Sequence, residues 1–253
     1  MSSITIGFIV LACVFVSAML GMFLGSFLPR HHLDGDSRDT MKLATGLIAT
    51  LSALVLGLLV SSAKGTFDKT SNELNEAAVR TVELDRMLAQ YGPETKEIRD
   101  QVKGRFSTVT DVIASGDESR QAKLDTPETV AVFEGIQARI RALSPTNDTQ
   151  REIKPHALQM FSEVSSGRWL LIVEGKGSIS TPLLVILVLW LSTIFAAWGV
   201  FAPRNRVVIA ALFACALSAS GATFLILEMD RPLTGLIRVD TVSMRQAEAH
   251  LGQ

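Results

Sequence analysis

Four stretches of this chain are almost free of charge: residues 4–28, 43–63, 179–202 and 207–227. Each runs for about 20 residues or more, the length at which a helix crosses a hydrocarbon core of ~30 Å. One such run alone would fit the buried helix of a soluble protein. Four do not, because soluble helices of this length carry a polar face. The sequence therefore predicts four transmembrane helices.

The first run is expected to be retained. Val16-Ser17-Ala18 resembles a signal-peptide cleavage site, but no Lys or Arg precedes the apolar core, and the core exceeds a usual signal sequence. Cys13 and Cys215, the two cysteines, both fall inside spans and read as small apolar packers. The chain carries 24 Lys and Arg against 25 Asp and Glu, a balance that argues against a nucleic-acid partner.

The layout is two spans, a polar block, two spans and a tail. The expected divisions are a transmembrane hairpin over 1–63, a helical extramembrane domain over 64–178, a second hairpin over 179–228 and a C-terminal tail over 229–253. The short connections 29–42 and 203–206 make each pair of spans antiparallel. No β-alternation of useful length occurs, so the predicted class is all-α.

Within the block, Leu74, Ala77, Ala78, Leu84, Met87 and Leu88 form a helical stripe. The second span can continue directly into this Phe67 helix. Gly92-Pro93 stops and restarts the chain, with Pro93 suited to a first helical position. A second helix to about Ala114 places Ile98, Val102 and Phe106 inward, packed antiparallel on Leu84, Met87 and Leu88. Ser115-Gly116-Asp117 reads as a turn. Thr126-Pro127 caps a third helix to about Leu143, and Asn147 or Asp148 caps a fourth to about Glu174, kinked or restarted at Pro155.

Small residues recur every four positions in three spans: Cys13, Ser17, Gly21 and Gly25 in the first, Thr45, Ala49, Ala53, Gly57 and Ser61 in the second, Ala210, Ala214, Ser218 and Ala222 in the fourth. Such stripes let helix backbones approach closely in lipid. The third span, with Trp190, Phe195, Trp198 and Phe201, is expected to face lipid. The expectation is a bundle of spans one, two and four with span three peripheral. The spans hold no Asp, Glu, Lys, Arg or His, which argues against a proton-driven transporter and leaves a passive pore open.

The fourth span runs into Glu-Met-Asp-Arg-Pro-Leu-Thr-Gly-Leu-Ile-Arg-Val, residues 228–239. Pro232 ends the helix and Gly235 permits a turn. Charges close to lipid need partners, and Asp68 and Glu73 are the nearest carboxylates by topology. The expectation is a clamp in which Asp230, Arg231, Pro232 and Arg238 fold back onto the start of the Phe67 helix near Asp68 or Glu73. The alternative is an interfacial stop signal with headgroup contacts only.

This ending resembles that of the bacterial bestrophin-like family, whose members close on Asp-Arg-Pro-Phe-x-Gly-x-x-Arg-Val. Asp230, Arg231, Pro232, Gly235, Arg238 and Val239 match; Leu233 replaces Phe, and Met244 stands where a later Phe falls. Phe67-Asp68, Glu76-Ala77-Ala78, Leu84-Asp85-Arg86 and Pro93-Glu94 also fit the family, with Asp85 departing from Tyr. The resemblance implies four spans around a helical block. By the family's own remote similarity to bestrophins, it also implies a pentameric anion channel. Bestrophins line their pore neck with aromatic residues of the second helix, and the second span here has none.

Catalytic and metal patterns are not evident. His31, His32, Asp34 and Asp36 read as a solvated turn rather than a metal site, and 175–177 and 63–65 lack the features of a phosphate loop. The expected partners are the lipid bilayer of a bacterial inner membrane and further copies of the chain; no cofactor, metal or enzymatic activity is expected. Three functional readings follow: an oligomeric anion-channel-like pore, a membrane-anchored sensor whose helical domain binds a ligand or partner, and a purely structural membrane protein. Charge density at the span ends favours the short loops inside, while the bestrophin resemblance implies the reverse.

Overall fold

The computed structural model describes residues 2–27, 35–174 and 179–253, and among these the chain is all-helical. The elements are α1 (Ser3–Gly25), α2 (Gly35–Tyr91), α3 (Lys96–Ser115), α4 (Glu118–Ala122), α5 (Pro127–Ala142), α6 (Asp148–Glu174), α7 (Thr181–Phe201), α8 (Arg206–Met229) and α9 (Val242–His250). Single 3-10 turns cover Pro93–Thr95 and Lys123–Asp125. Four helices are long and apolar enough to cross a membrane: α1, α2, α7 and α8. The second span and the Phe67 helix are one 57-residue helix. The turn containing His31, His32 and Asp34, and the Gly-Lys-Gly segment at 175–177, lie outside the described residues.

Local chemistry sets most helix ends. Ser2 accepts from Thr5 N–H, Asn205 from Val207 N–H and Thr126 from Thr129 N–H, each satisfying an orphan donor of a first turn. Asn147 caps α6 by accepting from Gln150 N–H at 2.8 Å, and Pro155 stands inside that helix, which continues through it. Gly116 ends α3 in the left-handed conformation, φ 65°, which a residue without Cβ adopts at no steric cost.

The chain separates into two compact units, residues 1–65 with 178–230, and 66–177 with 231–253. In the first, α1 is the central helix. Val10, Val14, Ala18 and Met22 form a core with Phe195 of α7 and with Leu212 and Ala216 of α8. Gly21 lies against the Ala196 backbone and Gly25 against Val200, while Gly199 lies against Ala18. Contacts therefore advance in the same sense along both helices, and α1 and α7 run parallel. Against α8 the order reverses, with Ser220 Oγ donating to the Gly7 carbonyl at 2.7 Å and the rings of Phe15 and Phe213 5.3 Å apart.

This arrangement corrects the expected bundle. The third span is packed rather than peripheral: Leu187, Ile194, Phe195 and Gly199 are buried, and Trp198 stays exposed beside Phe195. The second span is the one left uncovered. A Cβ at Gly46 or Gly57 would meet nothing, Ala53 is exposed, and Ala49 is half-buried. Toward its far end Leu59 and Ala63 join a core with Leu187 and Ile226, and Val55 and Leu56 pack against it. In α8 the predicted stripe of Ala210, Ala214 and Ser218 is exposed, and the buried small residues are Ala216 and Ser220, two positions away. Ser17 is half-buried, its hydroxyl donating to its own helix at Cys13. Of the packing residues read from the sequence, Gly21 and Gly25 make the close approach, and they make it to the span that the sequence placed outside.

In the second unit the lower part of α2 pairs antiparallel with α3. Leu84 and Leu88 pack with Ile98 and Val102, a cluster completed by Ile136, Ile140 and Phe161 of α5 and α6. Further back along α2, Leu74 and Ala78 pack with Phe106 and Ile113. The tail belongs to this unit rather than standing as a separate segment. Leu233, Val239, Met244, Ala247 and Leu251 are buried in the same cluster as Leu74 and Phe106.

Candidate functional site: the C-terminal strap and the cavity beneath it

The strap, 231–253, starts from the Asp-Arg-Pro motif. Thr234 N–H donates to the Arg231 carbonyl at 3.1 Å and Val239 N–H to the Pro232 carbonyl at 3.0 Å. Between them Gly235, φ 124°, takes a conformation that residues with side chains rarely adopt. This tight loop turns Leu233 inward while leaving Leu236 71% exposed. The chain then re-enters the core at Val239 and forms α9, whose Met244 is 1% exposed.

Polar contacts hold the strap along its length, among them Ser243 Oγ donating to Asn75 Oδ1 of α2. Gln121 Nε2 donates to the Leu233 carbonyl at 2.8 Å. Arg238 Nη1 donates to the Ala114 carbonyl at 3.1 Å, over the C-terminus of α3, where a helix carries partial negative charge. At the far end, Lys103 Nζ donates to the Leu251 carbonyl at 2.7 Å, and Gly252 N–H donates to Asp85 at 3.1 Å. Asp85 is itself gripped by Arg99 through two hydrogen bonds of 2.8 and 2.9 Å, and Arg99 reaches on to the Gln253 backbone oxygen at 2.9 Å. Burial would raise the Asp85 carboxyl, but the Arg99 fork and the Gly252 N–H more than offset it and hold the group below its ordinary range. Asp85 raises Arg99 in turn, against the effect of burial.

Of the predicted clamp, Arg238 donates to the Ala114 backbone carbonyl rather than to a carboxylate. Glu73 lies 3.8 Å from Lys69 of its own helix, and Asp68 is exposed. Asp230, in the first unit, is 5% exposed and accepts from Ile179 N–H at 3.2 Å, just before α7 begins. The strap does return to the Phe67 helix, with Leu233, Val239 and Met244 in one cluster with Leu74 and Ala78. Sequence reasoning missed Asp85, Arg99, Gln121 and α9. Asp85 carried a signal, since it is the acid standing where the family pattern has Tyr.

Beneath the strap the second unit forms a half-open cavity of about 410 Å³. Its walls are mainly apolar, from Phe106, Val109 and Ile113 of α3, Phe133 and Ile136 of α5, and Leu233 and Met244 of the strap. Arg105, Arg231, Glu118 and Gln121 are its charged and amide members. The volume and lining are those of small-molecule pockets, concave and apolar with a few polar groups. Among the described residues no group of three or more His, Cys, Asp or Glu could hold a metal.

The Bestrophin-like domain family matches residues 12–244. No curated protein matches the sequence. Among solved structures, one of a bacterial bestrophin homologue from Klebsiella pneumoniae bearing a point substitution aligns over 98% of this chain and 99% of that one, with TM-score 0.65 and 13% identity. Another bacterial bestrophin homologue structure from Klebsiella pneumoniae aligns over 96% of each chain, with TM-score 0.63 and 13% identity. At such identity these likenesses bear on the fold, and they cover both the spans and the helical block.

Proposed function

This chain belongs to the bestrophin-like family, and from that premise we propose that it is a subunit of a homo-oligomeric, anion-conducting pore in a cell membrane, with α2 facing the shared axis. The observation that carries the reading is the uncovered second span. Only 11% of its apolar window is buried within the chain, against 33% for α1. A helix left bare by its own bundle is available for copies of the chain to pack against or to surround water. Its small residues, Gly46, Ala53 and Gly57, permit close approach of a neighbouring backbone. In the bestrophins the corresponding helix lines the pore neck with aromatic rings. Here the candidates are Leu, Ala, Gly, Ser and Thr, so the neck is wider, and dewetting by leucines is the means of closure that its chemistry offers. The spans' lack of ionisable side chains fits passive conduction rather than proton coupling. The bacterial inner membrane and a non-enzymatic role belong to the same reading.

Purified protein reconstituted into liposomes is expected to pass chloride or iodide, read with an entrapped halide-quenched dye. Cysteines introduced at Gly46, Leu47, Ala53 or Leu54 are expected to make that flux sensitive to a charged thiosulfonate reagent, in a background lacking Cys13 and Cys215. Flux equal to that of empty liposomes, from protein shown to be oligomeric, sinks the pore reading.

A second reading, a membrane-anchored sensor whose helical block takes a ligand, is favoured by the cavity under the strap. The two are compatible, since a ligand-bound block can bias a pore.

A further inference from the structure

We propose that the cavity in the helical block binds a monocarboxylate with a single apolar tail, its carboxylate held by Arg105 at the polar end and its tail lying against Phe106, Val109 and Phe133. This deepens the sensor reading and does not depend on conduction. Arg105 is a half-buried guanidinium on α3, two residues from Lys103, which anchors the strap, and none of its nitrogens has a hydrogen-bond or ion-pair partner among the described residues. A guanidinium presents five donors in a planar fork, and partial burial without an acceptor is costly. A carboxylate supplies the matching acceptor geometry, in two hydrogen bonds stronger than neutral ones.

The charge and shape of the site select further. Arg105 contributes one positive charge with no acceptor of its own, which matches a monoanion rather than a dianion. The remaining wall is predominantly apolar, so an inorganic anion would leave most of the cavity's surface unused. About 410 Å³ admits one alkyl chain with its head; a two-chain phospholipid needs several times that space. Leu233, Thr234 and Met244 of the strap form part of the wall, so an occupant would be contacted by the strap itself.

The test uses the full chain in phosphatidylcholine nanodiscs with a diazirine-bearing medium-chain fatty acid as probe. After illumination, labelled peptides are mapped by mass spectrometry. Labels are expected within 102–113, 133–136 or 161–164, removed by excess decanoate. The Arg105→Gln variant is expected to lower that labelling about ten-fold, and Arg105→Lys much less, as loss of a charge-assisted hydrogen bond predicts. The matching diazirine alcohol is expected to label the block at least about ten-fold more weakly than the acid. Labels confined to the spans overturn the proposal. So does equal labelling of the block by acid and alcohol, and so does an Arg105→Gln variant that labels as the parent does. If Arg105→Gln does not fold, Val109→Phe decides, since it places a ring inside the cavity: lost labelling supports the assignment, and undiminished labelling rejects it. Failure of the probe leaves the halide-flux result of the pore reading unaffected.

Discussion

Arg99 of α3 holds Asp85 of α2 in a two-bonded fork, with Asp85 only 1% exposed. Arg99 stands in the first turn of α3, and Asp85 also receives Gly252 N–H, so a single carboxylate ties together α2, α3 and the distant end of the strap. Removing one partner leaves the other buried and uncompensated, at a cost of about 3–5 kcal/mol. Asp85→Asn and Arg99→Leu are each expected to lower the melting temperature of the detergent-solubilised protein clearly. A double variant to an apolar pair of similar volume should recover much of the loss. A silent Asp85→Asn would show that the fork contributes nothing.

The same pair predicts a pH dependence. The carboxyl's folded pKa lies below its unfolded one, so its contribution is fully present above the unfolded value, ~3.9. It is lost as pH falls through the folded value. The difference in melting temperature between the parent protein and Asp85→Asn is therefore expected to be constant from about pH 5 to 8 and to shrink below about pH 4. A gap that widens on acidification contradicts the assignment.

In the membrane unit, Gly21→Leu and Gly199→Leu are expected to abolish folding or yield, because side chains there run into the backbone of the facing helix. Gly57→Leu is expected to leave the fold of one chain intact, since nothing lies near it, and to change the oligomer if α2 lies at the contact between copies. Yield and light-scattering mass separate the two effects. Comparable collapse of Gly57→Leu and Gly21→Leu monomers would overturn the packing described.

At the strap, Gly116→Leu meets two obstacles: a left-handed φ of 65° and the Arg238 side chain. It is expected to cost at least about 1–3 kcal/mol, the scale of a disfavoured backbone conformation. Arg238→Glu places a negative charge at the end of α3 and is expected to destabilise by about 1 kcal/mol. Glu73→Arg is not expected to rescue it, because the partner is the Ala114 carbonyl. Rescue by Glu73→Arg, read as recovered melting temperature, restores the carboxylate clamp.

Met244→Ala removes a side chain buried against Leu74 and Phe106 and is expected to cost about 2–5 kcal/mol. Leu236→Ala, in the exposed loop, is expected to be nearly silent, within about 0.5 kcal/mol. Limited proteolysis should cut the Met244→Ala strap faster than the parent's. Equal cutting would mean that the strap is not anchored by α9.

The sequence by itself determined that there are four membrane-length helices, a helical block between the second and third, a cap at Thr126, a turn at Gly116 and a helix start at Asn147 or Asp148, because length, charge and capping chemistry are local. It also marked Gly21 and Gly25 as sites of close approach. It did not tell what they approach: the facing surface is the backbone of Ala196 and Val200, which leaves no trace in composition. For the same reason the exposed register in α8 looked as good as the buried one two residues away, since both are lined by small residues. Arg238 was expected to meet a carboxylate because charge suggests charge, yet every helix C-terminus offers carbonyls that no residue type announces. Only the tertiary structure decided that α1 packs on α7 and leaves α2 bare, and that the strap walls a cavity. Those outcomes depend on which backbones meet, and a helical pattern says how near a partner may come without naming it.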